Sequence, residues 1–378
     1  MEAIIKGFAA QNEASMLQTL KELCAIPAPS HMEQKRAEYC KNWLDAVGAE
    51  GVYIDEALNV VYPLNCQGSD DITVYVAHTD TVFPDTEPMP YSDDGKIIRC
   101  PGVGDDTASL SVLLMLAKFC VEQKLQPKKG ILFVCNSCEE GLGNLKGTRQ
   151  IFKDYAGRIR RFISFDAKLQ NIAHQCVGSH RYEVEVLTEG GHSFGAFGND
   201  NAIHELAKMV TKIYGIEVPR VCSSKTTYNV GDISGGTSVN TIAQNARMLC
   251  EYRSDNVQCL EIMRQKFEAI FEESGTEKIQ VLVKKIGDRP CQDIDIAKVE
   301  ALKAVVGPIM EKITGKPVRY ISSSTDCNIP LSMGIPALCM GVYNGGGAHT
   351  REEWVDKTSL VIGLEAAIRV LLGLEEAV

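Results

Sequence analysis

Residues 72–82 read ITVYVAHTDTV and carry the clearest indication of the fold. The β-branched and aromatic run at the start of this segment predicts a buried strand, and His78 and Asp80 follow it directly. A second apolar strand is predicted at 130–134, and apolar residues at helical spacing over 106–121 lie between the two strands. This alternation of strands and helices indicates a layered α/β sheet with helices on its faces.

The predicted elements divide the chain into two domains. The order strand–helix–strand–strand–helix–strand over 177–287 is that of a ferredoxin-like fold. Its first strand, RYEVEVL at 181–187, alternates apolar and polar residues, as strands of antiparallel sheets do. The α/β pattern returns afterwards. We therefore predict an α/β core domain formed by 1–176 and 288–378, interrupted by an inserted α+β domain at 177–287.

Composition excludes several classes of protein. The 378 residues carry 49 acidic and 39 basic side chains, a net charge of −10 with no long basic run, so nucleic acid is not an expected partner. The longest apolar run, 112–117, is far shorter than the ~20 residues of a membrane helix. The N-terminus has no secretory pattern and the fourteen cysteines are scattered. These features predict reduced thiols and a cytoplasmic location.

Five places offer side chains that commonly bind metal ions, most of them after predicted core strands. They are His78 and Asp80 in HTD, Asp105 and Asp106 in GVGDD, Glu139 and Glu140 in CEEG, Asp166 after RFISF, and His349 in GGGAH. Ligands in α/β folds bind at the carboxyl ends of the strands. Together these imidazoles and carboxylates suit two divalent cations ~3.5–4 Å apart, as in aminopeptidases.

Three of these places also have an ordinary structural explanation. A single histidine such as His78 is most often a structural residue with satisfied hydrogen bonds. An aspartate before a helix, here Asp105 or Asp106, is most often an N-cap. The adjacent Glu139 and Glu140 could be a solvated surface pair.

Taken in order, HTDTV, GDD, EEG, FDA and AHT resemble the motifs of the co-catalytic zinc metallopeptidases that include peptidase T, acetylornithine deacetylase and carboxypeptidase G. The resemblance covers essentially the whole chain and is closest to the peptidase T-like branch. It implies a layered α/β/α zinc-peptidase core with an inserted dimerisation or lid domain, and hence a homodimer.

The resemblance also implies a ligand set. His78 and Asp166 would bind one zinc ion, Glu140 and His349 the other, and Asp105 would bridge both. Cobalt and manganese suit the same nitrogen and oxygen ligands.

Two further core residues receive roles from the resemblance. Asp80 would orient His78, and Glu139 would be the general base that takes a proton from a water bridging the two metals. Relatives usually have Lys or Asn-Lys after the bridging aspartate, where this chain has Asp106 and Thr107. Asp106 is therefore a second candidate for the bridge.

The inserted domain contributes three candidate residues by the same resemblance. His192, in GGHSFGAFGNDNAI, would reach across the dimer towards the carbonyl oxygen of the substrate. Asn240 and Arg253 would hold the substrate, and the guanidinium of Arg253 is suited to a carboxylate.

These assignments imply a hydrolase that cleaves amide or peptide bonds in small substrates. An aminopeptidase acting on short peptides is favoured by Asp166, because the matching ligand is usually Asp in aminopeptidases and Glu in deacylases and carboxypeptidases. The alternative substrate is an acylated amino acid, cleaved by an N-acyl amino acid deacylase. A non-catalytic binding protein on this fold is disfavoured, since neither a ligand nor Glu139 is missing.

Overall fold

The computed structural model describes residues 1–376. The helices are α1 (Glu2–Gln11), α2 (Glu13–Cys24), α3 (Gln34–Ala46), α4 (Ser109–Glu122), α5 (Lys146–Asp154), α6 (Ala202–Tyr214), α7 (Val257–Glu273), α8 (Ile296–Thr314), α9 (Asn328–Ser332) and α10 (Lys357–Glu376). None of the helices described in this range is long and apolar enough to cross a membrane.

The strands belong to four sheets. They are β1 (Tyr53–Ile54), β2 (Val60–Leu64), β3 (Ile72–His78), β4 (Ser92–Asp93), β5 (Ile97–Arg99), β6 (Gly130–Asn136), β7 (Ile159–Ser164), β8 (Asn171–Cys176), β9 (Gly178–Leu187), β10 (Gly191–His192), β11 (Thr226–Gly235), β12 (Thr241–Ile242), β13 (Asn245–Ser254), β14 (Gln280–Arg289), β15 (Arg319–Ser323), β16 (Ala337–Met340), β17 (Gly345–Gly346) and β18 (Trp354–Asp356).

The chain folds as two compact units. The first comprises Met1–Cys176 and the chain from Asp293 onward, and the second is Val177–Gln292. The boundary predicted between 287 and 288 is therefore a few residues early. The reason is that β14, the last strand of the second unit, continues to Arg289.

The large sheet of the first unit has the order β1-β2-β6-β3-β7-β16-β8-β15. Strand β3 lies at its centre, parallel to both β6 and β7, and every residue of β3 is buried. A nearly continuous apolar sequence is typical of a parallel strand covered on both faces. The predicted α/β fold is confirmed, and the carboxyl ends of β6, β3 and β7 lie side by side at one edge.

The entry into helix α4 differs from the prediction. The helix begins at Ser109, after a turn over Val103–Ala108 that is kinked at Asp105 and Asp106, whose backbone angles are non-helical. No side chain caps α4. The N-cap explanation of the two aspartates is therefore wrong, and their carboxylates are available for other contacts.

The second unit is built on one antiparallel sheet with the order β11-β13-β9-β14. Helices α6 and α7 cover one face of this sheet, and alternate residues of β9, such as Tyr182 and Val184, are buried with them in a separate hydrophobic core. The predicted ferredoxin-like order is confirmed.

Candidate metal centre

Asp105 lies between two histidines at the carboxyl edge of the large sheet. Its Oδ1 is 3.1 Å from Nε2 of His78, and its Oδ2 is 3.1 Å from Nε2 of His349. The same Nε2 of His349 lies 3.2 Å from Oε1 of Glu140. His78 ends β3 and Glu140 follows β6, so the parallel pairing of these strands brings the two motifs together.

Asp106 and Asp166 complete the cluster around His78. The ligand atoms of His78, Asp106 and Asp166 all lie within 4.8 Å of one another, and so do those of His78, Asp105 and Glu140. Asp106 accepts a 2.9 Å hydrogen bond from the backbone N–H of His78, while its other oxygen, Oδ1, is buried without a hydrogen-bond partner. Of the two aspartates, it is thus Asp105 whose two oxygens face two different imidazoles.

The charges of the cluster strongly perturb one another. Burial alone would lower the pKa of His78, but Asp106, Asp105 and Asp80 raise it well above its ordinary value. Hydrogen bonds to Asp105 and Glu140 raise the pKa of His349 to about 10. The carboxylates around the two histidines therefore favour positive charge at this site.

The pKa values of the carboxylates in the cluster shift in opposite directions. Burial raises the pKa of Asp166 and Asp106 well above the ordinary value, and the charge of Asp105 adds to both shifts. Burial raises the pKa of Glu140 to about 7. Burial would raise the pKa of Asp105 as well, but its hydrogen bonds to His349 and His78 lower it overall. Crowded carboxylates of this kind hold protons unless cations neutralise them.

The cluster fits divalent metal ions. Two imidazoles and four carboxylates converge there, and one buried carboxylate oxygen, Oδ1 of Asp106, has no hydrogen bond. Zinc, cobalt and manganese all accept this mixture of nitrogen and oxygen ligands. Metal binding would replace the protons of the cluster and remove the repulsion among its carboxylates.

Asp80 connects two of the motifs. Its Oδ1 and Oδ2 accept 3.0 Å hydrogen bonds from the backbone N–H groups of Glu139 and Glu140, and Oδ2 also accepts a 2.6 Å bond from Ser30. Nδ1 of His78 lies 3.0 Å from the backbone carbonyl of Asp80 and 3.4 Å from its carboxylate. The carbonyl is thus the nearer acceptor for Nδ1 of the ring. With Nδ1 bound in this way, Nε2 of His78 faces Asp105.

Glu139 is buried beside the cluster. Its charge raises the pKa of Glu140, Asp166 and Asp326. Glu139 therefore lies close to Glu140 and Asp166, and its role as the general base stays a prediction.

Three buried carboxylates near the centre were not predicted from the sequence. Glu353 accepts hydrogen bonds from the loop that carries Asp105, and Glu33 accepts from the backbone N–H of Cys138. Asp326 accepts from Asn136 and Thr148. Glu353 lies four residues after His349, and this spacing could have indicated a residue near the centre. Glu33 and Asp326 have no distinctive spacing from a predicted ligand.

The remaining predicted residues lie in the second unit. His192 is exposed, and its Nδ1 accepts weak 3.3 Å hydrogen bonds from the N–H groups of Phe194 and Gly195. The pairing of β10 with β12 and a 2.9 Å bond from Ser193 to the carbonyl of Asn240 bring His192 and Asn240 together. With Nδ1 as acceptor, Nε2 of His192 carries the proton and can donate it in a hydrogen bond.

The guanidinium of Arg253 already donates hydrogen bonds within the chain. Its Nε and Nη2 donate hydrogen bonds of 2.7 and 3.1 Å to Glu251 on the same strand. A substrate carboxylate would have to compete with Glu251 for this guanidinium. The roles of His192, Asn240 and Arg253 stay predictions.

A model of Peptidase family M20/M25/M40 matches residues 74–373, which include all of the clustered side chains. The chain belongs to this family. It is therefore a hydrolytic enzyme of a metal-dependent family, and its cluster is a possible site for two metal ions.

Curated relatives are similar over nearly the full length. A succinyl-diaminopimelate desuccinylase of Corynebacterium glutamicum is 25% identical over 346 residues, covering 88% of this chain and 89% of the relative. A putative succinyl-diaminopimelate desuccinylase of Mycobacterium tuberculosis is 23% identical, covering 93% and 96%.

Solved structures share the fold. A tripeptidase from Staphylococcus aureus superposes with a TM-score of 0.75 at 23% identity, covering 97% of this chain and 99% of the other. The aminopeptidase PepT from Bacillus cereus gives a TM-score of 0.70 at 21% identity, with the same coverage. At these identities the similarity shows the architecture and not the substrate.

Proposed function

We propose that this enzyme hydrolyses the N-terminal peptide bond of short peptides with two divalent ions, zinc in the first instance, that share Asp105. The observation that carries the proposal is the position of the Asp105 carboxylate, whose two oxygens lie 3.1 Å from Nε2 of His78 and of His349. A carboxylate between two histidines is suited to bridge two ions, one bound on each side.

The other ligands follow from their neighbours. His78 and Asp166 would hold one ion, and Glu140 and His349 the other, with Asp105 common to both. When bound, such ions supply Lewis-acid activation of water and polarisation of the scissile carbonyl.

The proton transfers fall to Glu139. As a general base it would accept the proton of the attacking water and then deliver it to the leaving nitrogen. Asp80 would support this step indirectly, because its carboxylate fixes the backbone N–H groups of Glu139 and Glu140.

His192 would stabilise the oxyanion of the tetrahedral intermediate from the partner protomer of a homodimer. Its neighbourhood supports association, since Phe194, Phe197 and Val239 are 90%, 89% and 102% exposed in the second unit. Apolar side chains exposed to this degree mark interaction surfaces when they occur together. We place the enzyme in the cytoplasm, because its cysteines are all free.

The identity of the substrate depends on Asp166. An aspartate is shorter than a glutamate, so an ion held by Asp166 would lie deeper and would leave room for the ammonium group of a peptide. A deacylase acting on N-acyl amino acids is the second candidate, favoured by the names of the two curated relatives described above, a succinyl-diaminopimelate desuccinylase and a putative one.

A substrate panel separates the two candidates. Zinc-loaded enzyme is given free tripeptides, the same tripeptides with acetylated N-termini, and N-acetyl and N-succinyl amino acids at equal concentration. We expect free tripeptides to be cleaved fastest and N-terminal acetylation to abolish their cleavage. Faster turnover of N-acyl amino acids would assign the enzyme to the deacylases. The Glu139→Gln variant, assayed in parallel, reports any hydrolysis by contaminants.

A further inference from the structure

Glu353 is bound to the loop that carries Asp105. Its Oε2 accepts a 2.7 Å hydrogen bond from the N–H of Gly102, and its Oε1 accepts bonds of 3.0 and 2.8 Å from the N–H groups of Gly104 and Asp105. The residue is only 1% exposed. One buried carboxylate thus accepts hydrogen bonds from three backbone N–H groups of a segment that lies 248 to 251 residues away in sequence.

The loop is closely packed against Glu353 and its neighbours. A Cβ on Gly104 would lie 2.8 Å from Cε2 of Tyr343 and 2.9 Å from Oε1 of Glu353. Gly102 has a φ of +75°, and a Cβ there would lie 2.7 Å from Cγ2 of Thr81. The backbone N–H of Cys100 also donates to the carbonyl of Glu353. The loop therefore has little freedom while these contacts persist.

We propose that Glu353 is a positioning residue for the metal centre, which holds the loop so that both oxygens of Asp105 face His78 and His349. The inference rests on the proposed sharing of Asp105 by two ions. Both oxygens of Glu353 are occupied by N–H groups, so Glu353 acts through the backbone of Asp105 and not as a ligand. Carboxylates that support metal ligands in this way typically contribute 10–100-fold to metal affinity or activity.

The test compares Glu353→Gln with the wild type and with the matched control Glu352→Gln, whose side chain is the exposed neighbour. Glutamine keeps the size of the side chain, but its NH₂ group cannot accept from an N–H, so at least one of the three bonds is lost. Metal content, affinity by chelator competition, and the absorption and EPR spectra of the cobalt-loaded proteins are measured. The EPR spectrum reports the magnetic coupling between two bridged ions, which a purely structural role would leave unchanged.

We expect Glu353→Gln to remain folded by circular dichroism, to bind one of its two ions roughly 10–100-fold more weakly, and to lose the magnetic coupling. Its kcat should fall with little change in KM. Glu353→Asp, which keeps two accepting oxygens, should restore part of the affinity, and Glu352→Gln should behave as the wild type.

Two outcomes would overturn the inference, and they are distinguishable. If the wild type binds two coupled ions and Glu353→Gln does so with unchanged affinity, only the positioning role is wrong. If the wild type binds fewer than two ions, the proposed function fails and the positioning role fails with it. Should Glu353→Gln not fold, Glu353→Asp takes its place, and an affinity equal to that of the wild type would again overturn the inference.

Discussion

The Asp80→Asn substitution tests how the core holds its two central motifs together. The Asp80 carboxylate accepts 3.0 Å hydrogen bonds from the N–H groups of both Glu139 and Glu140, one at each oxygen, and a further bond from Ser30. Burial would raise the pKa of Asp80, but its interactions with His78, Ser30 and Glu140 hold it below the ordinary value. Asp80 is therefore an ionised acceptor at neutral pH.

The expected loss of stability follows from these bonds. Asparagine has one accepting oxygen, so one of the two backbone N–H groups would face the NH₂ group in a fully buried place. A lost hydrogen bond to a charged group costs about 1.5–3 kcal/mol, and the remaining bonds weaken because they lose their charge. We expect the free energy of unfolding of the first unit to fall by about 3–4 kcal/mol, a large part of the usual 5–15 kcal/mol.

Tryptophan fluorescence during urea unfolding measures this loss. Both tryptophans of the chain, Trp43 and Trp354, lie in the first unit, so the signal reports the unit that contains Asp80. The protein is kept metal-free, because a bound ion adds its own stabilisation. Asp70→Asn, an exposed replacement of the same kind, should change stability by less than about 0.5 kcal/mol. A loss below about 1 kcal/mol for Asp80→Asn would refute the reasoning.

Three further predictions concern the metal centre. Glu139→Gln should keep the fold and both ions but lose about 10²–10⁴-fold in turnover, measured by steady-state kinetics beside metal analysis; near-normal turnover would mean that the base is elsewhere. Zinc-incubated wild type should approach two ions per chain and His349→Ala should hold fewer, because one ion loses an imidazole; an unchanged content would contradict the ligand assignment. Mixing inactive Glu139→Gln with inactive His192→Ala should restore part of the activity, since some heterodimers contain one intact site; no recovery after proven subunit exchange would count against action in trans.

The sequence alone was sufficient to predict the core strands and the candidate ligands at their ends. His78 ends strand β3, and Glu140 and Asp166 follow strands β6 and β7. The apolar sequences of these strands are recognisable, and their parallel pairing brings the strand ends together. The α4 entry was predicted less well. Asp105 and Asp106 precede an apolar helical pattern, a position typical of caps, but the structure places a kinked turn before Ser109. Local pattern cannot show such a turn, because contacts with distant residues stabilise it.

The buried carboxylates of this core are of two kinds, which differ in the partners of their oxygens. In Asp80 and Glu353 both oxygens accept hydrogen bonds from backbone N–H groups, so each carboxylate holds a segment of the chain in place. In Asp105 both oxygens face imidazoles of other motifs, and in Asp106 one buried oxygen has no hydrogen bond.

The hydrogen bonds of the first kind involve no metal, whereas a carboxylate of the second kind needs a cation or a proton. The sequence shows only that acids are present near the strand ends. Some of these acids hold a loop in place and are here called anchors, whereas others are candidate ligands. The difference depends on the N–H groups that surround each acid, and these groups can come from distant segments, as Gly102 does for Glu353. The division between anchors and ligands is therefore a property of the folded chain, and it is the reason that removing an anchor should weaken a metal site whose ligands are all still present.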